Sequence, residues 1–305
     1  MESPKFNPYM ILLIAVISLS TSAILVKVSS APSGVIAFYR LFMTVILMLP
    51  IFLYKYVSEL RNISKRDWSF SIVAGVFLAF HFILWFESLN YTSVASSTVL
   101  VTLQPLFAFI GSYFVFKERF SKKAILSCVL AIAGSTMISW GDFQISGTAL
   151  YGDLLALIAC ALITINFMFG QTVRKRLSLV TYTFITYSMS TVVLLTYVLI
   201  VGESLFPYPT SDWLYFVLLA IFPTLLGHSL FNWSLKWMNT STISMAILFE
   251  PVGASILAYY FLQENIMWTQ ILGGFVVIGG IAIFLIDDRK MKSKQIIWKI
   301  KQNDY

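Results

Sequence analysis

Two prolines stand inside long apolar segments, and each follows a polar residue that could take part in chemistry. The pairs are Gln104-Pro105 and Glu250-Pro251, 146 positions apart. A proline inside a helix removes one backbone donor and frees a carbonyl group one turn earlier. The freed carbonyl could bind a polar ligand, and the break could act as a hinge. Prolines are also common in membrane helices, so a tolerated kink is the alternative interpretation.

Glu250 is the residue for which we predict a role in proton transfer. It lies near the middle of its apolar segment. A charged side chain at the centre of a membrane helix costs about 2.5–3.5 kcal/mol on insertion scales. Because a low dielectric favours the neutral acid, such a carboxyl could gain and lose a proton during a working cycle. Gln104 cannot ionise. The alternative for Glu250 is a protonated carboxyl bonded to a neighbouring helix.

The two histidines and their neighbours are further candidates for a buried site. His81 and His228 occupy nearly matching positions in two apolar segments. Trp85 follows His81 by four residues and Asn232 follows His228 by four, so each pair shares a helix face. An imidazole could line a cavity and change its charge near neutral pH. Alternatively, each histidine makes one hydrogen bond between helices.

Arg40 and Asn166 complete the set of polar candidates. Arg40 lies inside the second apolar segment, where it could pair with a bound carboxylate or a helix-end carbonyl, or extend toward the membrane interface. Asn166 and Thr164 match Ser20 and Ser18 at the same offset of 146. These side chains either line a cavity or form hydrogen bonds between helices.

The composition requires that the elements carrying these residues lie in a membrane. Apolar residues make up 58% of the 305 residues, charged residues only 11%, and the mean hydropathy is +0.83. A water-soluble protein of this size could not cover its surface with so few charges. About 20 apolar residues span the hydrocarbon core. Ten segments qualify: 9–27, 34–55, 69–89, 93–116, 122–141, 150–172, 180–201, 213–235, 240–262 and 268–287.

The sequence consists of two similar halves. The offset of 146 also relates the pairs Ser88 and Ser234, Trp85 and Phe231, Tyr91 and Trp237, Gly134 and Gly280, and Glu118 and Glu264. Each half contains five segments, so the second half enters the membrane from the opposite side and the repeat is inverted. We therefore predict an all-α integral membrane protein of ten helices, with repeats at 1–145 and 146–288 and a basic tail at 289–305.

The positions of the basic residues predict the orientation. With the N-terminus inside, 19 of the 21 lysines and arginines fall in cytoplasmic loops or termini, and only Lys27 and Arg40 do not. Cytoplasmic loops of membrane proteins carry such an excess. We predict a multi-pass protein of the plasma membrane with both termini in the cytoplasm. The net charge of +7 is explained by topology, so no nucleic-acid partner is expected.

The sequence lacks the motifs that several classes of function require. The chain has no HExxH, GxSxG or GxxxxGK[ST] motif, so we predict no catalytic residue, no enzymatic activity and no ATP hydrolysis. Cys128 and Cys160 lack CxxC spacing and are interpreted as packing residues, so no metal or cofactor is expected. Glu118 and Glu264 are predicted to cap the helices that follow them. Glycines in the last segment are expected at packing contacts or at a homodimer interface.

Longer stretches resemble a known family. The first half contains GVIAFYRLFM, LNYTSVASSTVLVTLQPLFAFIGSYFVFKERFS and AGSTMISW, and the second contains WMNTSTISMAILFEPVGASILAYYFLQENI and QILGGFVVIGGIAIF. Both halves resemble repeats of the EamA-type transporters of the drug/metabolite transporter superfamily. The resemblance implies a ten-helix exporter with a central cavity between its repeats. Its relatives handle amino acids, metabolites and drug-like compounds.

We therefore predict a secondary active transporter that exports a small molecule by alternating access and is driven by an ion gradient, with protons as the candidate ion. Its partners would be a small-molecule substrate and the lipid bilayer. The alternatives are a facilitative channel or uniporter, or a receptor or scaffold that transports nothing. The candidate cavity residues are Glu250, Gln104, His81, His228, Trp85, Asn166, Asn232 and Arg40, and the candidate hinges are Pro105 and Pro251.

Overall fold

The computed structural model describes residue 4 and residues 6–92, 94–139, 147–263 and 267–303. Within these residues the chain forms helices and no strands. The α-helices are α1 (Pro8–Leu19), α2 (Ser22–Val28), α3 (Ser33–Ile51), α4 (Lys65–Ser88), α5 (Val94–Thr102), α6 (Gln104–Phe116), α7 (Lys122–Ser139), α8 (Gly147–Val173), α9 (Leu179–Val201), α10 (Thr210–Leu219), α11 (Ser229–Ser234), α12 (Thr240–Ile247), α13 (Glu250–Leu262) and α14 (Trp268–Asn303). π-helical segments lie at Phe52–Tyr56 and Ala220–His228, and a 3-10 segment lies at Val57–Asn62.

Nine helical stretches in the described part of the chain are long and apolar enough to cross a membrane. They are Pro8–Val28, Ser33–Asn62, Lys65–Ser88, Ser96–Phe116, Thr148–Val173, Leu179–Val201, Thr210–Ser234, Thr240–Phe261 and Trp268–Asp288. The tenth predicted segment is helical as α7 but is not among these nine. The all-α membrane architecture is confirmed, whereas the count of ten and the inversion of the repeat stay predictions.

Three spans are interrupted near their middle. α1 and α2 are separated at Ser20 and Thr21, α5 and α6 at Leu103, and α12 and α13 at residues 248–249. Pro105 and Pro251 each occupy the second position of the helix that follows. A proline is tolerated there because the first turn of a helix has no partner for its backbone N–H groups. The kinks predicted at the prolines are therefore full breaks, and Gln104 and Glu250 begin α6 and α13.

The π-helical segment Ala220–His228 accommodates one extra residue in the second half. Asp67-Trp68 and Asp212-Trp213 are 145 positions apart, whereas Ser88 and Ser234 are 146 apart. A π-helical turn closes i→i+5 hydrogen bonds and so contains one residue more than an α-helical turn. In agreement, the Ser229 amide donates to the carbonyl of Thr224, five residues earlier. The segment belongs to the span that carries His228.

The last helices of the two halves, α7 and α14, pack closely at glycines. A Cβ atom on Gly134 would lie 2.7 Å from the carbonyl oxygen of Gly273, and one on Gly280 would lie 2.9 Å from that of Ser127. Side chains at these positions would force the helices apart, which explains the glycines. A Cβ atom on Gly279 would have no described heavy atom within 4 Å. Gly273 and Gly280 are thus contacts within the chain.

Candidate functional site

A small closed cavity lies where the three interrupted spans meet α4, α8 and the segment Ala220–His228. Its volume is about 10 Å³, which is the room that a single water molecule needs. Residues from both halves of the sequence form its wall. The lining residues are Leu19, His81, Trp85, Val101, Gln104, Ile163, Phe167, His228, Ile247 and Glu250.

The breaks in the spans place Gln104 and Glu250 at this cavity. Both residues are the first of their helix, and both are buried. The first turn of a helix has backbone N–H groups without helical partners, and Glu250 stands at that end of α13. The hydroxyl of Ser20, at the third break, donates to the backbone carbonyl of Glu250 at 3.4 Å. The three breaks therefore converge on one point in the interior.

The histidine and tryptophan side chains form an aromatic wall with unsatisfied polar atoms. His81 Nδ1 lies 3.0 Å from the carbonyl oxygen of Ala159, and its ring stacks on Trp85 with 5.8 Å between ring centroids. The rings of His81 and His228 are 6.4 Å apart. His228 Nε2, Trp85 Nε1 and Gln104 Oε1 are buried and have no hydrogen-bond partner in the described part of the chain. Buried polar atoms of this kind are usually satisfied by water or a ligand.

Arg40 lies next to the cavity without lining it. Its side chain is fully buried, at 0% exposure. Nε donates to Thr224 Oγ1 at 2.8 Å, and Nη1 donates to Ser22 Oγ at 2.9 Å. The guanidinium lies over the ring of Phe82, 4.3 Å from its centroid. The only ion pair within 4 Å among the described residues is at another place, so Glu250 does not form one with Arg40.

Asn166 and Asn232 lie outside the cavity wall and donate to backbone carbonyls. Asn166 Nδ2 donates to the carbonyl of Ala74 at 2.9 Å and so joins α8 to α4. Asn232 Nδ2 donates to the carbonyl of His228 at 2.9 Å within its own span. Of the eight predicted residues the structure thus brings five to one cavity, and the interhelical alternative applies to Asn166.

A crevice of about 390 Å³ opens at the end of the bundle where Ser30, Asn90 and Glu203 lie, here called the opposite end. Burial and the nearby Glu87 carboxylate raise the pKa of Glu203 above its usual value. Phe86 lines the crevice, and its ring centroid is 5.9 Å from the Arg40 guanidinium. Arg40 therefore lies near the crevice through Phe86, and it also interacts electrostatically with the cavity residues His81, His228 and Glu250.

Comparison with known proteins agrees with this architecture. The model of the EamA-like transporter family matches residues 7–140 and 150–286. The chain belongs to the EamA-like transporter family. It is 22% identical over 272 residues to an uncharacterized transporter of Archaeoglobus fulgidus, covering 89% of this chain and 94% of the relative. It is 24% identical to the uncharacterized transporter YdfC of Bacillus subtilis, covering 82% of each protein.

A solved crystal structure has the same fold. It superposes with a TM-score of 0.76 at 18% identity and covers 93% of this chain and 98% of that one. The family and the names of its relatives make this chain a multi-pass membrane transporter, which is a class distinct from enzymes. The resemblance noted in both halves of the sequence is confirmed, since the family model matches each half separately.

Polar contacts close the other end of this EamA-family protein, the basic end, where the loops near Arg61, Lys117 and Arg174 lie. Arg176 forms a salt bridge of 2.5 Å with Asp67 at the start of α4. That contact and the charge of Asp67 raise the pKa of Arg176. Because nearly half of the Arg176 side chain is exposed, solvent weakens this pair. Asp67 also accepts a hydrogen bond from Ser64, which caps α4.

Glu118 at the basic end joins the two halves, and the prediction that it caps the next helix is wrong. The hydroxyl of Ser121 accepts from the Ala124 amide and occupies the capping position of α7 instead. Glu118 accepts hydrogen bonds from Gln171 at 3.3 Å, Asn239 at 3.0 Å and Ser241 at 3.4 Å. Its repeat partner at position 264 lies outside the described residues.

Two further residues at this end were missed by sequence reasoning. Arg174 was assigned only to a basic loop, but it is buried and donates from Nε to the carbonyl of Asn232 at 2.9 Å. Burial lowers its pKa to about 10. Glu59 accepts hydrogen bonds from the amide and hydroxyl of Ser178 and from the hydroxyl of Thr181. No sequence signal distinguishes these residues from solvated loop charges.

Proposed function

We propose that this protein is a secondary active transporter that exports a small organic molecule by alternating access. The observation that carries the proposal is the closed cavity, because residues at matching breaks of both halves line it. In transporters built from inverted repeats, the substrate site lies near the bilayer midplane and is formed by discontinuous helices. A cavity of about 10 Å³ is too small for an organic molecule, so the lining helices have to move apart for the proposed substrate to enter.

Pairs of contacts in which matching residues of the two halves take opposite roles support an inverted repeat. Gly134 packs on Gly273, and the matching positions Gly280 and Ser127 pack on each other. Ser190 Oγ donates to the carbonyl of Gly75, and Thr44 Oγ1 lies 3.5 Å from that of Ala220 in the matching helices. Each contact thus has a counterpart in which the two halves change roles. This reciprocity is expected of a pseudo-two-fold axis.

The contacts that close the two ends also match. At the basic end Asp67, at the start of α4, pairs with Arg176. At the opposite end Asp212, near the start of α10, accepts from the Ser30 amide at 3.1 Å and hydroxyl at 2.6 Å. Asp67 and Asp212 are matching positions, and so are Ser30 and Arg176. We propose that the two contacts open in alternation.

We further propose that the basic end faces the cytoplasm, with both termini inside the cell at the plasma membrane. Single cysteines at exposed positions can test this, because the native Cys128 and Cys160 are buried. Ser204→Cys should react with an impermeant thiol reagent added to intact cells, and Ser58→Cys should react only after permeabilisation. The reverse result would overturn the orientation.

Glu250 is the proposed proton-coupling group, and Pro105 and Pro251 are the proposed hinges. The chain lacks a nucleotide-binding loop of the GxxxxGK[ST] type, so transport would use an ion gradient or the gradient of the substrate itself. A carboxyl that exchanges its proton in the closed cavity can link substrate movement to a proton gradient.

A comparison of metabolites tests the proposed function. Cells lacking the protein and cells overproducing it are analysed for compounds inside and in the medium. We expect one compound or a related group to accumulate outside on overproduction. Val101→Phe would fill the cavity wall and should abolish this accumulation. Val129→Phe, on an exposed face of α7, is the matched control and should not. An unchanged medium would overturn export, and a flux that never saturates would favour a channel.

A further inference from the structure

We propose that Arg40 binds the carboxylate of the transported molecule, so that the substrate is an organic anion with an apolar body. This inference rests on the proposed function and names the substrate class of the same site. It is carried by the position of Arg40, by its unsatisfied hydrogen-bonding capacity and by the absence of a neutralising partner within 4 Å among the described residues.

The guanidinium of Arg40 has capacity left for an anion. Its two hydrogen-bond acceptors, the hydroxyls of Thr224 and Ser22, are neutral. Nη2 is buried and has no partner in the described part of the chain. A guanidinium presents five N–H donors and binds carboxylates in a bidentate manner. A buried cation with a free amino group is costly unless an anion completes it.

The surroundings of Arg40 suit an apolar body. The rings of Phe82 and Phe86 lie beneath and beside the guanidinium, 4.3 Å and 5.9 Å from it. Trp85 and Phe167 continue this aromatic surface into the cavity wall. Because Arg40 lies near the crevice and interacts with residues of the cavity wall, a carboxylate bound to it would leave the rest of the molecule in the aromatic cavity.

Arg174 shows that burial alone does not leave a guanidinium nitrogen without a hydrogen-bond partner. Its guanidinium is also buried, but it donates to the backbone carbonyls of Asn232 and Leu177. It lies beyond the end of α8, outside the spanning segments, and does not touch the cavity. Arg174 is therefore interpreted as a helix-end contact. It provides a matched control for substitutions of a buried arginine.

Glu250 and the substrate carboxylate would neutralise the same charge. Arg40 interacts electrostatically with Glu250, and the other titratable side chains near the pair are His81, Tyr187 and His228. In the protein without substrate, the charge of ionised Glu250 offsets that of Arg40 from more than 4 Å away. When an anion binds, it balances Arg40 and Glu250 takes up one proton from solution. Both states are then neutral, so the bound anion and one proton move across the membrane in the same direction, and net export follows the outward gradient of the substrate itself.

The experiment measures binding to the purified full-length protein in detergent. Its probes are matched triplets of carboxylate, alcohol and amine on one skeleton, such as 3-phenylpropionate, 3-phenylpropanol and 3-phenylpropylamine, together with indole and straight-chain triplets. Binding is followed by the melting temperature and by tryptophan fluorescence. We expect the carboxylates alone to raise the melting temperature. Equal or larger shifts with amines or alcohols, or no shift with any probe, would overturn the proposal.

Variants connect the binding to Arg40. Arg40→Gln and Arg40→Lys should weaken carboxylate binding about 10- to 100-fold, as loss of a charged hydrogen bond predicts. Arg174→Lys should leave carboxylate binding unchanged. Variants that fail to fold are recognised because their melting temperature without ligand differs from that of the wild type. If the Arg40 variants do not fold, the wild-type triplets still decide whether the substrate is an organic anion. Carboxylate binding that survives Arg40→Gln would overturn the assignment.

Proton uptake provides a second measurement. Carboxylate binding to the wild-type protein in weak buffer should take up one proton for each anion, detected with a pH indicator, and Glu250→Gln should bind without uptake. Binding without uptake in the wild type would overturn the competition between Glu250 and substrate. An uncharged or cationic compound exported by overproducing cells would support the proposed function and overturn this inference.

Discussion

The two proline breaks are alike in geometry and different in chemistry. In the first half only Leu103 separates α5 from α6, which begins at Gln104, and in the second half two residues separate α12 from α13, which begins at Glu250. Each proline is the second residue of the new helix, and each polar residue lines the same cavity. Only the second break carries a group that can ionise.

This difference indicates that the two halves share a scaffold and differ in the chemistry of their cavity residues. The duplicated sequence provides the scaffold, because matching breaks, helix starts and glycine contacts occur in both halves. The residue types at the two breaks differ, so the ionisable group lies on one side of the cavity. Arg40 adds to the asymmetry, since its matching position is Thr186, which donates to the backbone of Ser71 and carries no charge. Glu250 and Arg40 therefore each lack an ionisable counterpart in the other half.

The largest expected effect comes from removing this difference with Glu250→Gln. The substitution makes the second break resemble the first and holds the side chain permanently neutral with its size preserved. We expect accumulation of the substrate driven by a pH difference to disappear in proteoliposomes. Exchange down a substrate gradient should continue, because the cavity keeps its shape.

Glu87→Gln is the control for this prediction. Glu87 lies at the crevice of the opposite end, outside the cavity, so its neutralisation should leave pH-driven accumulation intact. Full pH-driven transport by Glu250→Gln would remove Glu250 from the mechanism. Failure of the variant to reach the membrane would make its role structural.

The next largest effect is expected from replacing the proline that each break contains. Replacing both Pro105 and Pro251 by alanine restores two backbone donors and favours continuous helices. We expect exchange between the two open states to slow by about tenfold, which equals about 1.4 kcal/mol of activation free energy. Counterflow of the substrate in proteoliposomes measures this rate.

Pro50→Ala provides a matched comparison, since Pro50 lies inside α3 on an exposed face and lines no cavity. This variant should exchange at the wild-type rate. If the double variant does so too, the prolines are tolerated features of their helices.

Much of the architecture could be predicted from the sequence because its signals are strong and local. Apolar length predicts spans, and the spacing of Gln104-Pro105 and Glu250-Pro251 predicts that these residues meet. Trp85, His81 and His228 were found because polar or titratable groups stand out in apolar segments. The family assignment was predicted from motifs in both halves and is confirmed.

The remaining features depend on neighbours that no spacing reveals. The sequence left open whether Arg40 faces a cavity or the membrane interface, because its contacts with Ser22 and Thr224 require three separate spans to pack. The extra residue in the span of His228 is visible only as a change of offset from 145 to 146. Glu118 follows a helix as a cap would be expected to, but its partners come from the second half.

A smaller effect is expected from substitutions in the contacts that close the two ends of the molecule. Asp67 pairs with a charged partner and Asp212 with the neutral Ser30. Both carboxylates accept charged hydrogen bonds, which contribute about 1.5–3 kcal/mol, and solvent weakens the exposed Asp67–Arg176 pair. Asp67→Asn should therefore favour opening of the basic end, and Asp212→Asn should favour opening of the opposite end by a comparable amount.

The thiol reactivity of Ser241→Cys measures opening at the basic end, because Ser241 is fully buried beside Glu118. We expect Asp67→Asn to raise the labelling rate of this cysteine several-fold. Such an increase corresponds to a loss of about 1 kcal/mol from the free energy that favours the closed basic end. Asp212→Asn should leave the rate unchanged or lower it. Equal rates in both variants would show that these contacts do not control access.

The smallest effect is expected at the first break, with Gln104→Leu. The Oε1 atom of Gln104 is buried without a partner in the described part of the chain, so an apolar side chain of similar size sacrifices no hydrogen bond made by that atom. We expect the free energy of unfolding to change by less than about 1 kcal/mol and pH-driven accumulation to persist. Chemical denaturation and proteoliposome uptake measure the two quantities. Loss of pH-driven transport as complete as in Glu250→Gln would mean that both breaks carry the coupling chemistry, and the contrast between the halves would then lie in Arg40 alone.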